Sequence, residues 1–248
     1  AFKNALNKKG IKFTPLSGIA ENMRMIKDAD EIRKIKKAVG IAKKVFFAFT
    51  KKLRPGKTEA QLYRELNCLI ADFGAEEEAF STIVAAGERA SRPHAAPTNR
   101  VLRKNEPVLI DFGVKVDSYN CDLTRVCFLG KIQQQLYNIY NTCKEAQRRA
   151  IALIRPGVSA KEVDRVARGF IESKGFGKAF GHSLGHGIGL SVHESPRISS
   201  KSETILKPGM VITIEPGIYI EGLGGVRIED MALVTTKGCQ VLTDDIPK

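Results

Sequence analysis

Residues 54–74, RPGKTEAQLYRELNCLIADFG, return in outline as residues 155–175, RPGVSAKEVDRVARGFIESKG, at an offset of 101. Both segments open with Arg-Pro-Gly and carry a capping box, Thr58 with Gln61 and Ser159 with Glu162. Each then keeps helical apolar spacing up to a glycine stop, Gly74 or Gly175. An amphipathic helix precedes each copy, at about residues 30–53 and 132–154. Downstream, HAAP at 94–97 answers HESP at 193–196, and VLRKNEPVLIDFG at 101–113 answers ILKPGMVITIEPG at 205–217. Asp111 is thereby set against Glu215. Beyond each lies a loop and a second strand bearing a second acid, Asp122 in CDLTRVCFL and Glu229 in VRIEDMALV. Matched features in this order oblige the two parts of the chain to fold alike. The expectation is one α+β domain with a pseudo-twofold axis, its repeats at about 30–130 and 131–248. In each, helices back an antiparallel sheet.

The hairpins carry the conflict that points to chemistry. A turn centred near Val116 and Asp117 makes Asp111 and Asp122 cross-strand neighbours, and the glycine-rich turn EGLGG at 221–225 does the same for Glu215 and Glu229. Like charges opposed on a sheet destabilise it. Their strand neighbours, Val108, Leu109, Ile110, Ile212 and Ile214, are apolar, so four ionised carboxylates there need compensating positive charge. Two divalent cations balance four carboxylates beside one neutral imidazole. An oxygen-rich set with a single nitrogen suits manganese first, with cobalt or zinc as alternatives.

Three of the four histidines (His182, His186 and His193) fall within GHSLGHGIGLSVHESP at 181–196. The spacing of His182 and His186 imitates helical zinc ligation, but Gly181, Gly185, Gly187 and Gly189 argue against a helix. As an extended segment, His186 shares a face with Leu184 and Ile188, and His193 faces the other way unless a bulge intervenes. Spacing alone leaves open which histidine binds metal.

The net charge of +13 is concentrated at one end. Residues 1–57 hold 16 Lys and Arg against 4 Asp and Glu, and the rest is close to neutral. In that end, Ile32, Ile35, Val39, Ala42, Phe46, Phe49 and Leu53 form an apolar helical stripe with lysines between them. This reads as a solvated face or a dock for an acidic partner; no aromatic interleaving or groove-reading motif supports nucleic acid. No apolar run is long enough for a membrane span and AFKNALNKKG lacks a signal-peptide core. The five cysteines have no metal-site or disulfide spacing, so a soluble, cytoplasmic protein is expected.

The segments DFGVKVDSYNCDLTR, HSLGHGIGLSVHE, TIEPGIY and GGVRIEDMALVT closely resemble the creatinase/aminopeptidase family, whose fold is called pita-bread. Within it the Xaa-Pro aminopeptidase and Xaa-Pro dipeptidase (prolidase) branch is nearest, over roughly residues 23–248. The resemblance implies two divalent metal ions held by Asp111, Asp122, His186, Glu215 and Glu229, with Asp122 and Glu229 bridging. It implies Glu215 as proton shuttle and His94 and His193 as groups steadying the intermediate and leaving nitrogen. His182 and Arg227 become substrate-side groups, and their presence argues against the methionine aminopeptidases. Cys121 stands where the family usually has serine. Proline-specific members carry an extra N-terminal domain, so residues 1–22 are expected to be its remnant or linker and 23–248 the catalytic domain. The chain would then be a catalytic fragment or a natural short form, and a homodimer is a further expectation. The leading expectation is an Xaa-Pro aminopeptidase acting on peptides with proline second. The alternatives are the dipeptidase and, further off, a non-catalytic binding module of the same fold.

Overall fold

The computed structural model describes residues 2–12, 14 and 16–248. Among these, six α-helices are formed: Phe2–Lys8 (α1), Ile19–Met25 (α2), Ala29–Thr50 (α3), Glu59–Asp72 (α4), Gln134–Leu153 (α5) and Ala160–Ser173 (α6). In the first half the strands are Glu77–Glu78 (β1), Ile83–Ala86 (β2), Pro107–Phe112 (β3), Val114–Val116 (β4), Tyr119–Asn120 (β5) and Leu123–Phe128 (β6). The second half contributes Gly185–Gly187 (β7), Glu194–Ile198 (β8), Val211–Ile214 (β9), Gly217–Ile220 (β10), Gly224–Arg227 (β11), Asp230–Val234 (β12) and Cys239–Val241 (β13).

The repeat is written into the hydrogen bonds. In the first half Gly56 N donates to Leu102 O, Leu102 N to Lys57 O, and Glu59 N to Arg100 O. In the second, Gly157 N donates to Leu206 O, Leu206 N to Val158 O, and Ala160 N to Thr204 O. Thr58 and Ser159 each pair across an isolated bridge, with Val101 and Ile205. The sheet order β2-β3-β6 is echoed by β7-β9-β12, and every pairing is antiparallel. The halves meet where Glu229 N donates to Thr124 O. This is the pita-bread α+β architecture.

Helices cover both faces of the sheet. Val108, Ile110 and Phe112 of β3 pack with Val211, Met231 and Leu233 against α3 and α4, while Leu109, Ile212, Ile214 and Ala232 pack against α5 and α6. Burial on both faces explains why these strands read as continuous apolar runs. The α3 helix starts at Asp28, which forms a capping box with Glu31, and buries Ile35, Ala38, Val39, Ala42, Val45, Phe46 and Phe49. The box at Thr58 and Gln61 is complete, whereas at Ser159 only the side chain's acceptance from Glu162 N is present.

Other expectations meet the structure unevenly. The hairpin turn falls on Asp117 and Ser118, both at positive φ, one residue beyond the expected centre. Asp111 therefore faces Thr124, and Asp122 is its diagonal neighbour on the same face. In the second hairpin Gly217 opposes Arg227 and Ile214 opposes Asp230, which sets Glu215 directly across from Glu229. The α2 helix straddles the expected boundary at residues 22 and 23, and Arg24 and Lys27 both pair with Glu194. Several α3 lysines find acids, Lys34 with Asp30 and Lys37 with Asp117. No helix among the described residues is long and apolar enough to cross a membrane.

Candidate metal centre

The glycines around His186 have a steric cause. A Cβ on Gly185 would lie 1.9 Å from Thr213 O, and one on Gly187 would lie 2.2 Å from Ser195 O. Glycine lets β7 press against both neighbours while His186 projects between them. The register of β7 with β8 shifts between His186 and Gly187. His193 reaches the site by a different route from the expected bulge: the chain turns back over residues 188–193, Gly187 pairs with Glu194, and the two imidazole centroids lie 4.3 Å apart.

His186 Nδ1 donates to Gly187 O at 3.0 Å, which leaves Nε2 turned inward. That nitrogen lies 3.3 Å from Glu215 Oε1 and 3.6 Å from Asp122 Oδ2. Asp122, His186 and Glu229 each offer a ligand atom, and these atoms lie within 4.8 Å of one another. Thr124 Oγ1 donates to Glu229 Oε2 at 2.7 Å, and Thr213 Oγ1 donates to Glu215 Oε1 at 3.3 Å. One oxygen each of Asp111, Asp122 and Glu229 is buried without any partner.

This is a pocket of acceptors. A cluster of carboxylate oxygens and a lone imidazole nitrogen, largely buried and repelling one another, is neutralised by protons or by cations. Burial, then the charges of Glu229, Asp111 and Glu215, hold the Asp122 carboxyl well above the usual carboxylate range. Burial, then the charges of Glu215 and Asp111, push Glu229 up to about 8. Burial opposes a charge on His186 too, but the hydrogen bond and charge of Glu215 outweigh it and raise the imidazole. Glu215 is lowered in turn, since His186 outweighs its own burial. The set fits divalent ions: hard oxygen donors, one nitrogen of fixed tautomer, and unmet charge.

Asp111 is partly compensated, because Arg227 Nη2 donates to its Oδ2. The other Arg227 nitrogens are also engaged, Nη1 with Tyr219 Oη at 2.7 Å and Nε with Thr124 Oγ1 at 3.1 Å. Tyr219 Oη lies 3.0 Å from His182 Nε2, while His182 Nδ1 faces Ser183 O at 2.8 Å. The carbonyl requires Nδ1 to carry the proton, so Tyr219 donates to Nε2 and accepts from Arg227. Burial lowers the His182 imidazole, consistent with that neutral tautomer.

The four acids, His186, His182 and Arg227 border one cavity of about 750 Å³. His94 and His193 stand on its wall with Phe80, Thr82, Ile83 and Val192, and Arg197 is among its lining residues. Burial and nearby His186 lower the His193 imidazole. Cys121 fits without disturbance, its Sγ accepting from Val114 N at 3.4 Å. The residues that sequence reasoning passed over are Thr124, Thr213 and Tyr219. The two threonines sit two positions from Asp122 and Glu215, and the period of a strand puts such neighbours on one face.

A duplicated sheet that gathers acidic groups and one imidazole from both halves beneath a cavity of substrate size is built as a metal-dependent hydrolase. Residues 33–236 match metallopeptidase family M24, and the chain belongs to that family. The Xaa-Pro dipeptidase of Pyrococcus furiosus is 43% identical over 242 residues, which cover 98% of this chain and 69% of that one. Among solved structures, an Xaa-Pro dipeptidase from Bacillus anthracis superposes with a TM-score of 0.94 at 40% identity, covering 100% of this chain and 70% of its own. An X-Pro aminopeptidase from Thermotoga maritima MSB8 gives 0.91 at 40% identity, with 98% and 69% covered. The chain spans 64% to 69% of the length of the first curated relatives it matches.

Proposed function

We propose that the chain is the catalytic part of an Xaa-Pro dipeptidase, which hydrolyses the bond between a residue and a C-terminal proline. Relatives bearing that name move the reading away from the aminopeptidase expected first. The structural observation that carries it concerns cations at the cavity. A dipeptidase must sense a free carboxylate one residue past the scissile bond, and Arg227 is occupied by Asp111, Tyr219 and Thr124. Arg197 is exposed at the cavity and spends only Nε, on Ser183 Oγ at 3.2 Å. Its two terminal nitrogens are the forked donor a carboxylate accepts.

On this reading Asp111, Asp122, His186, Glu215 and Glu229 hold two divalent ions. Bound there, the ions would polarise the scissile carbonyl and acidify a water. Manganese suits the oxygen-rich set, with cobalt or zinc as alternatives. Glu215, charged at neutral pH and fixed by Thr213, takes and returns the proton. His94 and His193 flank the cavity as hydrogen-bond donors to the carbonyl oxygen and the leaving nitrogen. His182 and Tyr219 buttress Arg227, which steadies Asp111. Phe80, Ile83 and Val192 offer the apolar wall a proline ring fills. On this reading residues 23–248 are the catalytic domain. The five cysteines, all free thiols, suit a reducing cytoplasm.

The Thermotoga neighbour keeps the aminopeptidase as the second reading. Rates on an Xaa-Pro dipeptide and the matching Xaa-Pro-Yaa tripeptide, with Mn²⁺ added, decide between them. The dipeptide is expected to be preferred, and Arg197→Ala to raise its KM by roughly 10-fold or more, the worth of a charge-assisted pair. Preference for the tripeptide, or a dipeptide KM unmoved by Arg197→Ala, would return the aminopeptidase reading to first place.

A further inference from the structure

The two glutamates occupy breaks in the sheet. β9 ends at Ile214 and β10 begins at Gly217, while β11 ends at Arg227 and β12 begins at Asp230. Across the breaks at 215–216 and 228–229, ladder bonding reduces to Ile228 N donating to Pro216 O at 3.3 Å. Glu215 N donates instead to Leu184 O at 2.8 Å and Glu229 N to Thr124 O at 3.2 Å, so each glutamate is tied outward to a different neighbour and little backbone bonding fixes their spacing across the break, where the facing carboxylates repel.

Two buried side chains close the gap from opposite sides. Gln147 of α5 is fully buried, and its Nε2 donates to Ile214 O at 3.0 Å and to Ile228 O at 3.1 Å. Those carbonyls immediately precede Glu215 and Glu229, so one amide spans both strands beside both ligands. Arg125 of β6 is equally buried and donates through Nη1 to Thr124 O and to Glu229 O. Its remaining donors are taken by Asp230 Oδ1 at 2.8 Å, Pro247 O at 2.9 Å and Ile246 O at 3.0 Å. Thr243 Oγ1 also donates to Asp230 Oδ1, at 2.7 Å. The guanidinium thus cannot swing away from Glu229 without unseating residues 243–247. Neither side chain lines the cavity, so neither touches substrate.

We infer that Gln147 and Arg125 are positioning residues that set the spacing of the Glu215 and Glu229 carboxylates, and through it the affinity for divalent ions. Groups that orient ligands in this way govern affinity by ~10–100-fold. The inference rests on the metal-site reading. Titration of chelator-treated protein with Mn²⁺ by isothermal calorimetry tests it, alongside thermal unfolding of the metal-free forms. Gln147→Met keeps the volume and removes both donors; Arg125→Lys keeps the charge beside Asp230 and removes the fork. Each is expected to weaken Mn²⁺ binding by ~10–100-fold while the metal-free protein still unfolds cooperatively. Mn²⁺ affinity within twofold of wild type in a folded variant would overturn the inference. So would failure of both variants to fold, which would make them core residues only. A wild-type protein that binds no Mn²⁺ would instead bring down the metal-site reading itself.

Discussion

Each acid in the cluster owes its behaviour to neighbours that chain order keeps remote. Glu229, raised to about 8, retains in the metal-free native state a proton that the unfolded chain has lost. Asp122 and His186 are shifted in the same direction. The Glu229 contribution is therefore complete at low pH and drains away as pH rises toward 8, and those of Asp122 and His186 change in the same sense. The lowered His182 and His193 oppose this only below about 6.5, since above it they are neutral in both states. Between pH 6.5 and 8, chelated protein is expected to lose up to about 2 kcal/mol per proton released, read as a falling Tm. Added Mn²⁺ should flatten the slope, and a Tm that climbs over this window would contradict the cluster. The four acids stood out in the sequence because charge interrupts apolar strands, whereas His186 was singled out among three histidines only by the family resemblance. Thr124 and Thr213 did not stand out, since threonine is an ordinary strand residue.

At the level of elements, helix ends were easier to read than hairpin registers. Thr58 and Ser159 announce their helices through side chains that bond locally, and such signals survive without tertiary context. The first hairpin turned one residue late because Asp117 and Ser118 both adopt positive φ, a conformation that neither residue dictates as glycine would. A one-residue shift of the turn moves the pairing by two, which kept Asp111 and Asp122 on one face and preserved the cluster. The extended reading of residues 184–193 missed the reversal after β7, and the register irregularity falls in β8, where Ser195 and Pro196 are left over between Glu194 and Arg197. Gly185→Ala forces a methyl against Thr213 O and is expected to cost about 1–3 kcal/mol. Calorimetry of the metal-free variant measures this, and an unchanged Tm would mean that β7 is not held so close.

For the molecule as a whole, the repeat was the most informative reading, since it fixed the architecture before any strand was paired. The basic end was less so: Lys34 and Lys37 turn out to be paired with acids, while other lysines remain on the surface. Ion binding to the native form alone should stabilise the entire domain. At 100 times the dissociation constant the gain is about 2.7 kcal/mol, or roughly 5–10 °C in Tm for a domain of this size. Scanning calorimetry with and without chelator checks this, and identical transitions would mean that no ion binds the native form selectively.

The proposed ligands divide unevenly along the duplication, Asp111 and Asp122 from one copy and His186, Glu215 and Glu229 from the other. Severed after Gly130, neither portion would own a complete coordination set. Only complementation, with both pieces reassembled along the Thr124–Glu229 contact, would restore ion capture, so the chemistry belongs to the seam and to neither copy.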